Sequence, residues 1–502
     1  MLSKDLGERQ RTLSSAYTQL ATLRRPRRGA IIKVPGRARD DKTVVELILN
    51  EVQGILREWA QDEVAQVAEQ DMDAMEQSVQ ALLRLVGGRL MGTLVEASVA
   101  RREKTPPSCP RCERPMRLVD QRRKRDMRGL VGDFAFARPY YQCRACGGGL
   151  APDDERLGIG VVGYMPALSR VAALTVTEVP FERAARDMSE TLGAAFAEAD
   201  IYRVVEALGV VAEAEIQAGM AAPQADPITP AGDTLLIGVD GTTSFIDGDW
   251  HEVKVGVVGV LGPELRHDAE TGRDLLGVSD PRYCAAVATE ADEFFPHVAL
   301  LARQVGFGHQ DLRRIVYLGD GGRWIWNRMP LFSQNGVEYI EILDYMHASG
   351  HVWQVADAFF GEGTLDAHAW AGPVLQALRE QGPTLLLDAL GKLRPHSSRQ
   401  KREIQNAKDY FTTNRDRMHY PDFVAQQLPI GSGVVEATCR SLVCQRTKGA
   451  GMRWTRSGAQ AILNLRCLHL SHPDRWRDFF ARHPLRRTPR LAALRRPQAQ
   501  AA

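Results

Sequence analysis

The sequence predicts an α/β protein, and three observations carry that expectation. Short apolar runs bounded by turn residues, at 234–240, 252–260, 283–288, 313–319 and 338–343, read as strands. Helix-compatible stretches lie between 290 and 305 and after 345, so the two kinds of element alternate, with antiparallel strands first. Two of the strands end in an aspartate followed by glycine: Leu235-Leu236-Ile237-Gly238-Val239 runs into Asp240-Gly241, and Ile315-Val316-Tyr317-Leu318-Gly319 runs into Asp320-Gly321. Open α/β sheets bind ligands beyond the carboxyl ends of their strands. Asp-Gly after one strand is an ordinary turn signal. Two such ends in one chain favour a site for a hard cation.

Composition bounds the rest. With 502 residues, 44% hydrophobic and 25% charged, the chain has the make-up of a globular protein of about three domains. No apolar run approaches the ~20 residues that span a bilayer. The opening MLSKDLGERQRTLSSAYTQL lacks the apolar stretch of a secretory signal, so a cytoplasmic protein with no membrane partner is expected. The net charge of +2 hides local asymmetry. Residues 1–40 carry ten basic and three acidic side chains, residues 101–140 twelve and five, and residues 475–502 eight and one, a net of +7 in each case. Basic flanks on a near-neutral body suit a polyanion, although each flank alone reads equally as a solvated tail.

Along the chain, residues 1–104 read as a basic arm followed by helices. Val44, Val45, Leu47, Ile48, Val52, Ile55 and Leu56 recur at helical spacing. A second stripe, Met75, Val79, Leu82, Leu83 and Leu85, is expected to break at Gly87-Gly88. Residues 105–155 hold the paired cysteines, with a hairpin expected over 128–141. Residues 156–222 return to helix, and 181–208 has the spacing of a DNA-binding helix-turn-helix, a pattern that any helical hairpin shares. A Pro- and Ala-rich linker occupies 223–232. The strands then form a first core segment, 233–352. Residues 353–430 are helical and polar, 431–480 return to the core, and 481–502 form a basic tail.

Four signals carry chemistry. Cys109-Pro-Arg-Cys112 and Cys143-Arg-Ala-Cys146 are two matched knuckles separated by a hairpin-compatible stretch, the spacing of a zinc ribbon. Four thiolates close a tetrahedral shell, so this Zn2+ is expected to be structural. Within the ribbon, Arg122-Arg123-Lys124-Arg125 suits phosphate contact. The second signal is Asp240 with Asp320. Holding two metal ions about 4 Å apart needs a third acid, and spacing offers Asp247, Asp249, Asp344 and Glu436 without choosing among them. Glu436 follows Gly431-Ser432-Gly433, where it also suits an ordinary first-turn acid of a helix. The third is Asp344-Tyr345-Met346-His347 with His351: an auxiliary site near the acids, or a helix cap with two packed imidazoles. The fourth is 445–462, where Arg446, Lys448, Arg453, Trp454 and Arg456 alternate with glycines. That pattern suits phosphate contact with base stacking, or a basic loop with Trp454 in the core. Gly321-Gly322 would let a DNA backbone approach, while Trp324 and Trp326 brace the core.

In this order the four signals resemble the DDE transposases of bacterial insertion sequences, nearest to the ISKra family, relatives of the Mutator-like group. The resemblance covers about 105–480. It rests on CPRC with YYQCRACGGGLAPDDERLG, IGVDGT, YLGDGGRWIWN, ILDYMHASGHVW, YFTTNRDRMHYPDFVAQQLPIGSGVVEATC and QRTKGAGMRWTRSGAQAILNLRC. It implies an RNase H-like catalytic core with an all-α insertion domain at 353–430, preceded by helical N-terminal domains and the zinc ribbon. It makes Asp240, Asp320 and Glu436 a catalytic triad for Mg2+ (or Mn2+), and matches Asp344 and His347 to a [C/D]xxH signature beside it. The activity it implies is metal-dependent cleavage and strand transfer on double-stranded DNA, at terminal inverted repeats and a target, by a homodimer or higher oligomer in a bacterial, nucleoid-associated setting. The alternative is a transposase-derived, zinc-containing DNA-binding protein that does not cleave.

Overall fold

A computed structural model describes residues 41–482, apart from 103–104, 161, 223–225, 269–270, 432 and 450. The expected basic arm at 1–40 and the tail from 483 onward lie outside the described residues. The chain divides into two compact units: one takes in 41–172 and 181–204, the other 173–180 and 205–482.

In the first unit the helices Asp41–Gln66 and Met72–Ala100 pack along each other. Asp71 caps the second by accepting the Ala74 N–H at 2.9 Å. This helix runs straight through Gly87-Gly88, where the sequence predicted a break. A Cβ on Gly87 would lie 2.1 Å from the Val131 carbonyl oxygen, and one on Gly88 2.5 Å from that of Asp133. The two glycines admit a neighbouring backbone and do not end the helix. That backbone is the turn between β1 (Arg117–Met127) and β2 (Phe134–Gln142), which pair antiparallel with β3 (Gly149–Leu150) beyond. The expected hairpin at 128–141 is therefore larger, with 128–133 as its turn. Glu96, buried, accepts the Ala137 N–H at 2.6 Å. Arg138, also buried, grips both oxygens of Asp154 at 2.7 and 2.8 Å.

The second unit is built on a five-stranded mixed sheet. Its strands are β4 (Thr234–Ile246), β5 (Asp249–Asp268), β6 (Arg273–Val287), β7 (Arg314–Gly319) and β8 (Glu338–Leu343), in spatial order β6-β5-β4-β7-β8. The first three are antiparallel; β4, β7 and β8 are parallel. Ile315, Val316, Tyr317 and Leu318 are buried, as a strand covered on both faces requires. The antiparallel strands run well past the predicted limits. A tight hairpin at Asp247-Gly248, both residues in the left-handed region, joins β4 to β5. Asp247 thus lies in a turn seven residues beyond Asp240, and Asp249 opens β5 opposite Ile246, both about 20 Å along the strand from Asp240. The helix Ala291–Gln304 packs on β5 and β6 through buried Phe294, Phe295 and Val298. The stretch 353–430 is helical as expected, with Leu365–Gln381, Pro383–Lys392, Ser398–Thr413 and Tyr420–Ala425 continuing the core through Ala367, Leu386 and Phe411. The chain then returns to the sheet. The helix Arg456–Leu470 lies on β6, with Gln460 donating to the Ala285 carbonyl at 2.9 Å and accepting from the Val287 N–H at 3.0 Å.

Candidate active site and cysteine cluster

Register places the acids. Val239 on β4 pairs with Gly319 on β7, and Gly319 with Leu343 on β8. The next residues of the three parallel strands are Asp240, Asp320 and Asp344, side by side at the carboxyl edge. Each carboxylate is steadied by a backbone donor. Gly241 N–H reaches Asp240 Oδ1 at 2.7 Å, Gly322 N–H reaches Asp320 Oδ1 at 2.8 Å, and Met346 N–H reaches Asp344 Oδ1 at 2.9 Å. Asp344 is the N-cap of the helix Tyr345–Phe360 and is buried, so the capping reading holds for it. Burial, opposed by the Gly241 N–H and reinforced by the Asp320 charge, holds the Asp240 carboxyl above its ordinary pKa.

Glu436 lies in the helix Gly433–Thr438; its side chain is outside the described residues. The helix itself is seated against β4. A Cβ on Gly238 would meet Val435 Cγ2 at 2.4 Å, so only glycine lets the two come this close. Three residues beyond Glu436, the Cys439 thiol donates to Asp240 Oδ2 at 3.4 Å. Burial, then the Asp240 charge, pushes that thiol's pKa up, so it keeps its proton. A π-helical turn, Cys439–Cys444, follows, an irregularity frequent at functional sites. It carries the chain to Lys448, whose Nζ donates to Thr242 Oγ1 at 2.7 Å just past Asp240.

The helical stretch also reaches the acids. Tyr410, on Ser398–Thr413, covers Gly321: a Cβ there would lie 2.1 Å from Tyr410 Cε2. A Cβ on Gly322 would lie 3.0 Å from Trp324 Nε1. These glycines are filled by protein, a correction to the expectation that they admit DNA. Trp326 braces the site as expected, its Nε1–H donating to the Asp320 carbonyl at 3.0 Å. His347 and His351 sit with ring centroids 5.6 Å apart, and His351 lies 4.0 Å from the Tyr410 ring. Burial lowers the His351 pKa and keeps that ring neutral.

The basic segment divides. Lys448, Arg453 and Arg456 are exposed. Arg446 and Trp454, expected to contact DNA, are instead buried, at 1% and 8% exposure. Arg446 Nε donates to the Val176 carbonyl at 2.7 Å, and its guanidinium lies 5.2 Å from the Trp454 ring. Burial, together with nearby Arg466, lowers the Arg446 pKa to about 10. The Trp454 carbonyl accepts the Asp247 N–H at 2.8 Å, which ties this loop to the β4 hairpin.

In the first unit the sulfurs of Cys109, Cys112, Cys143 and Cys146 all lie within 4.8 Å of one another. Among the described residues they are the one group of three or more such ligands that meet so closely. The backbone N–H of Arg111 lowers the Cys109 pKa to about 6 and that of Cys146 lowers the Cys143 pKa, which favours thiolates at these two, while the neighbouring sulfurs, chiefly that of Cys143, with burial push Cys112 up to about 11. The cluster could bind zinc as a closed structural site. Of the ribbon's basic run, Arg122, Arg123 and Lys124 are exposed, while Arg125 is half-buried and donates to the Gly160 carbonyl at 3.0 Å. Arg123 stacks 3.9 Å over the Tyr140 ring.

No family model and no curated protein matches this chain. Among the described residues no helix is long and apolar enough to cross a membrane.

Proposed function

We propose that the second unit is a metal-dependent polynucleotidyl transferase core, RNase H-like in kind. More particularly, we propose that the chain is a DDE transposase of an insertion sequence. One observation carries the reading: Asp240 and Asp320 stand in adjacent register at the ends of parallel strands, with the helix that bears Glu436 laid against the first of them. A row of carboxylates suits hard, oxygen-seeking ions. Burial, reinforced by the neighbouring Asp320 charge, raises the Asp240 pKa, and both contributions are ones that a bound cation would offset.

Asp240, Asp320 and Glu436 would hold the Mg2+ (or Mn2+). A metal pair, when bound, supplies activation of the attacking oxygen and stabilisation of the leaving one. The protein's own part is orientation. Gly241 and Gly322 fix one oxygen of each aspartate, leaving the other for the ion. Cys439 holds the free oxygen of Asp240 and must yield it. Exposed Arg122, Arg123, Lys124, Lys448, Arg453 and Arg456 supply cations for duplex phosphates. The insertion is 353–430, and two copies would pair two DNA ends.

The test is Mg2+-dependent nicking of duplex DNA carrying the element's ends. The native chain nicks and joins; Asp320→Asn loses cleavage by more than about 1000-fold, comparable to removing one member of an acting catalytic set, and keeps DNA affinity. Cleavage by Asp320→Asn would remove the triad. Binding without nicking by the native chain would favour the non-cleaving alternative.

A further inference from the structure

The helical stretch 353–430 delivers one side chain to the acids that the proposed reaction does not yet use. Tyr410 presses its ring onto Gly321, next to Asp320, and its hydroxyl oxygen is buried with no hydrogen-bond partner among the described residues. A buried, unpaired hydroxyl costs roughly what a lost hydrogen bond costs, so it calls for a reason. Packing does not supply one. His351 at 4.0 Å, Phe411 at 5.2 Å and Gly321 would receive a phenylalanine ring equally well.

The position of Tyr410 is tied to Asp320 by a chain of contacts. Its carbonyl accepts both the Asn414 N–H at 3.1 Å and Asn414 Nδ2 at 3.0 Å. Asn414 Oδ1 accepts from Arg417 Nη1 at 3.0 Å. The Arg417 guanidinium lies 4.2 Å over the Trp326 ring, and Trp326 Nε1–H donates to the Asp320 carbonyl. The helix and the acid-bearing loop are thus fixed to each other, with the phenol ring against Gly321 and its hydroxyl within reach of the charges of Asp320 and Asp344.

We propose that Tyr410 is a positioning residue of the acidic site, its O–H donating to the Asp320 carboxylate when that carboxylate turns to bind metal. The proposal rests on the function proposed above. Asp320 Oδ1 is already occupied by the Gly322 N–H, so two donors would fix both the tilt and the twist of the carboxylate. Burial, followed by the charges of Asp320 and Asp344, raises the phenol's pKa, so it keeps the proton it would donate.

The experiment uses the full chain and Mn2+ as probe, in two readouts: direct Mn2+ binding, followed by the loss of the free-ion electron-resonance signal, and Mn2+-supported nicking. Tyr410→Phe keeps the ring and removes the donor. It is expected to weaken Mn2+ binding about 10-fold, the low end for loss of an outer-shell partner of a metal ligand. It should slow nicking to a similar degree, leave DNA affinity unchanged and leave the thermal midpoint equal or higher. A purely structural tyrosine would instead lower the midpoint and leave Mn2+ binding alone. Native Mn2+ affinity in Tyr410→Phe, with affinity lost in Asp320→Asn, overturns this proposal and leaves the transferase reading standing. No Mn2+ binding by the native chain overturns both.

Discussion

Gly321→Ala tests the contact that joins the helical stretch to the acids. The new Cβ would lie 2.1 Å from Tyr410 Cε2 and 2.9 Å from Cδ2 and Cζ. Ordinary carbon contacts are about 3.5–4.0 Å, so ring and loop must separate by about 1.5 Å. Neither yields freely, because His351 backs the ring and Asn414 holds its backbone. Overpacking of this kind costs about 1–3 kcal/mol. Gly321 is outside the left-handed region, so alanine also recovers about 0.4–1 kcal/mol by stiffening the unfolded chain. The expected net loss is about 1–2 kcal/mol. In a Tyr410→Ala background the clash is gone, and Gly321→Ala should be stabilising by the unfolded-chain gain alone, so the coupling equals the overpacking cost of about 1–3 kcal/mol. Urea unfolding of the four proteins of this cycle, followed by tryptophan fluorescence, measures it. Additive losses would refute the contact. Unchanged stability with lost nicking in Gly321→Ala would restore the view that this glycine makes room for DNA.

Two more predictions concern the metal sites. The purified chain should carry one zinc per ribbon; Cys143→Ser, or a strong chelator, should release it and unfold the first unit while leaving the folding of the sheet unit intact, which zinc analysis and limited proteolysis would show. Asp240→Asn should abolish nicking yet stabilise the protein. The native Asp240 holds its proton above the unfolded pKa of 3.8, so stability falls as pH rises from there through the raised native value and stays lower beyond. Each unit of that shift is worth about 1.4 kcal/mol. The variant's thermal midpoint should therefore exceed the native one at pH 7 and converge on it near pH 3; equal midpoints at both pH values would contradict the buried-charge explanation.

The strands and both aspartates were legible because apolar runs and Asp-Gly endings are local signals. The cysteine knuckles were legible for the same reason, their geometry being set by a two-residue gap. What sequence could not supply was register and long-range packing. Nothing local distinguishes Asp247, in a tight hairpin, from Asp344, level with Asp320; the pairing of β7 with β8 makes that difference. Gly87-Gly88 looked like a helix break because glycine is a poor helix former, and the approach of the 128–133 turn overrides that preference. Arg446 looked like a phosphate contact because charge usually marks the surface, whereas a carbonyl partner at Val176 lets the guanidinium be buried; for Trp454 the sequence left base stacking and the core both open, and the indole is buried. Cys439 had a faint signal, three residues after Glu436 on one helical path. Tyr410 had none, being 89 residues from Gly321, the glycine it covers.

The most direct measurement is anomalous scattering from crystals of the full chain grown with end-bearing DNA and Mn2+. The proposed site predicts manganese within about 2.0–2.5 Å of carboxylate oxygens of Asp240, Asp320 and Glu436 together, the range of hard-cation ligation. Manganese held elsewhere, or at the two aspartates with Glu436 remote from the DNA-bound ion, would contradict it.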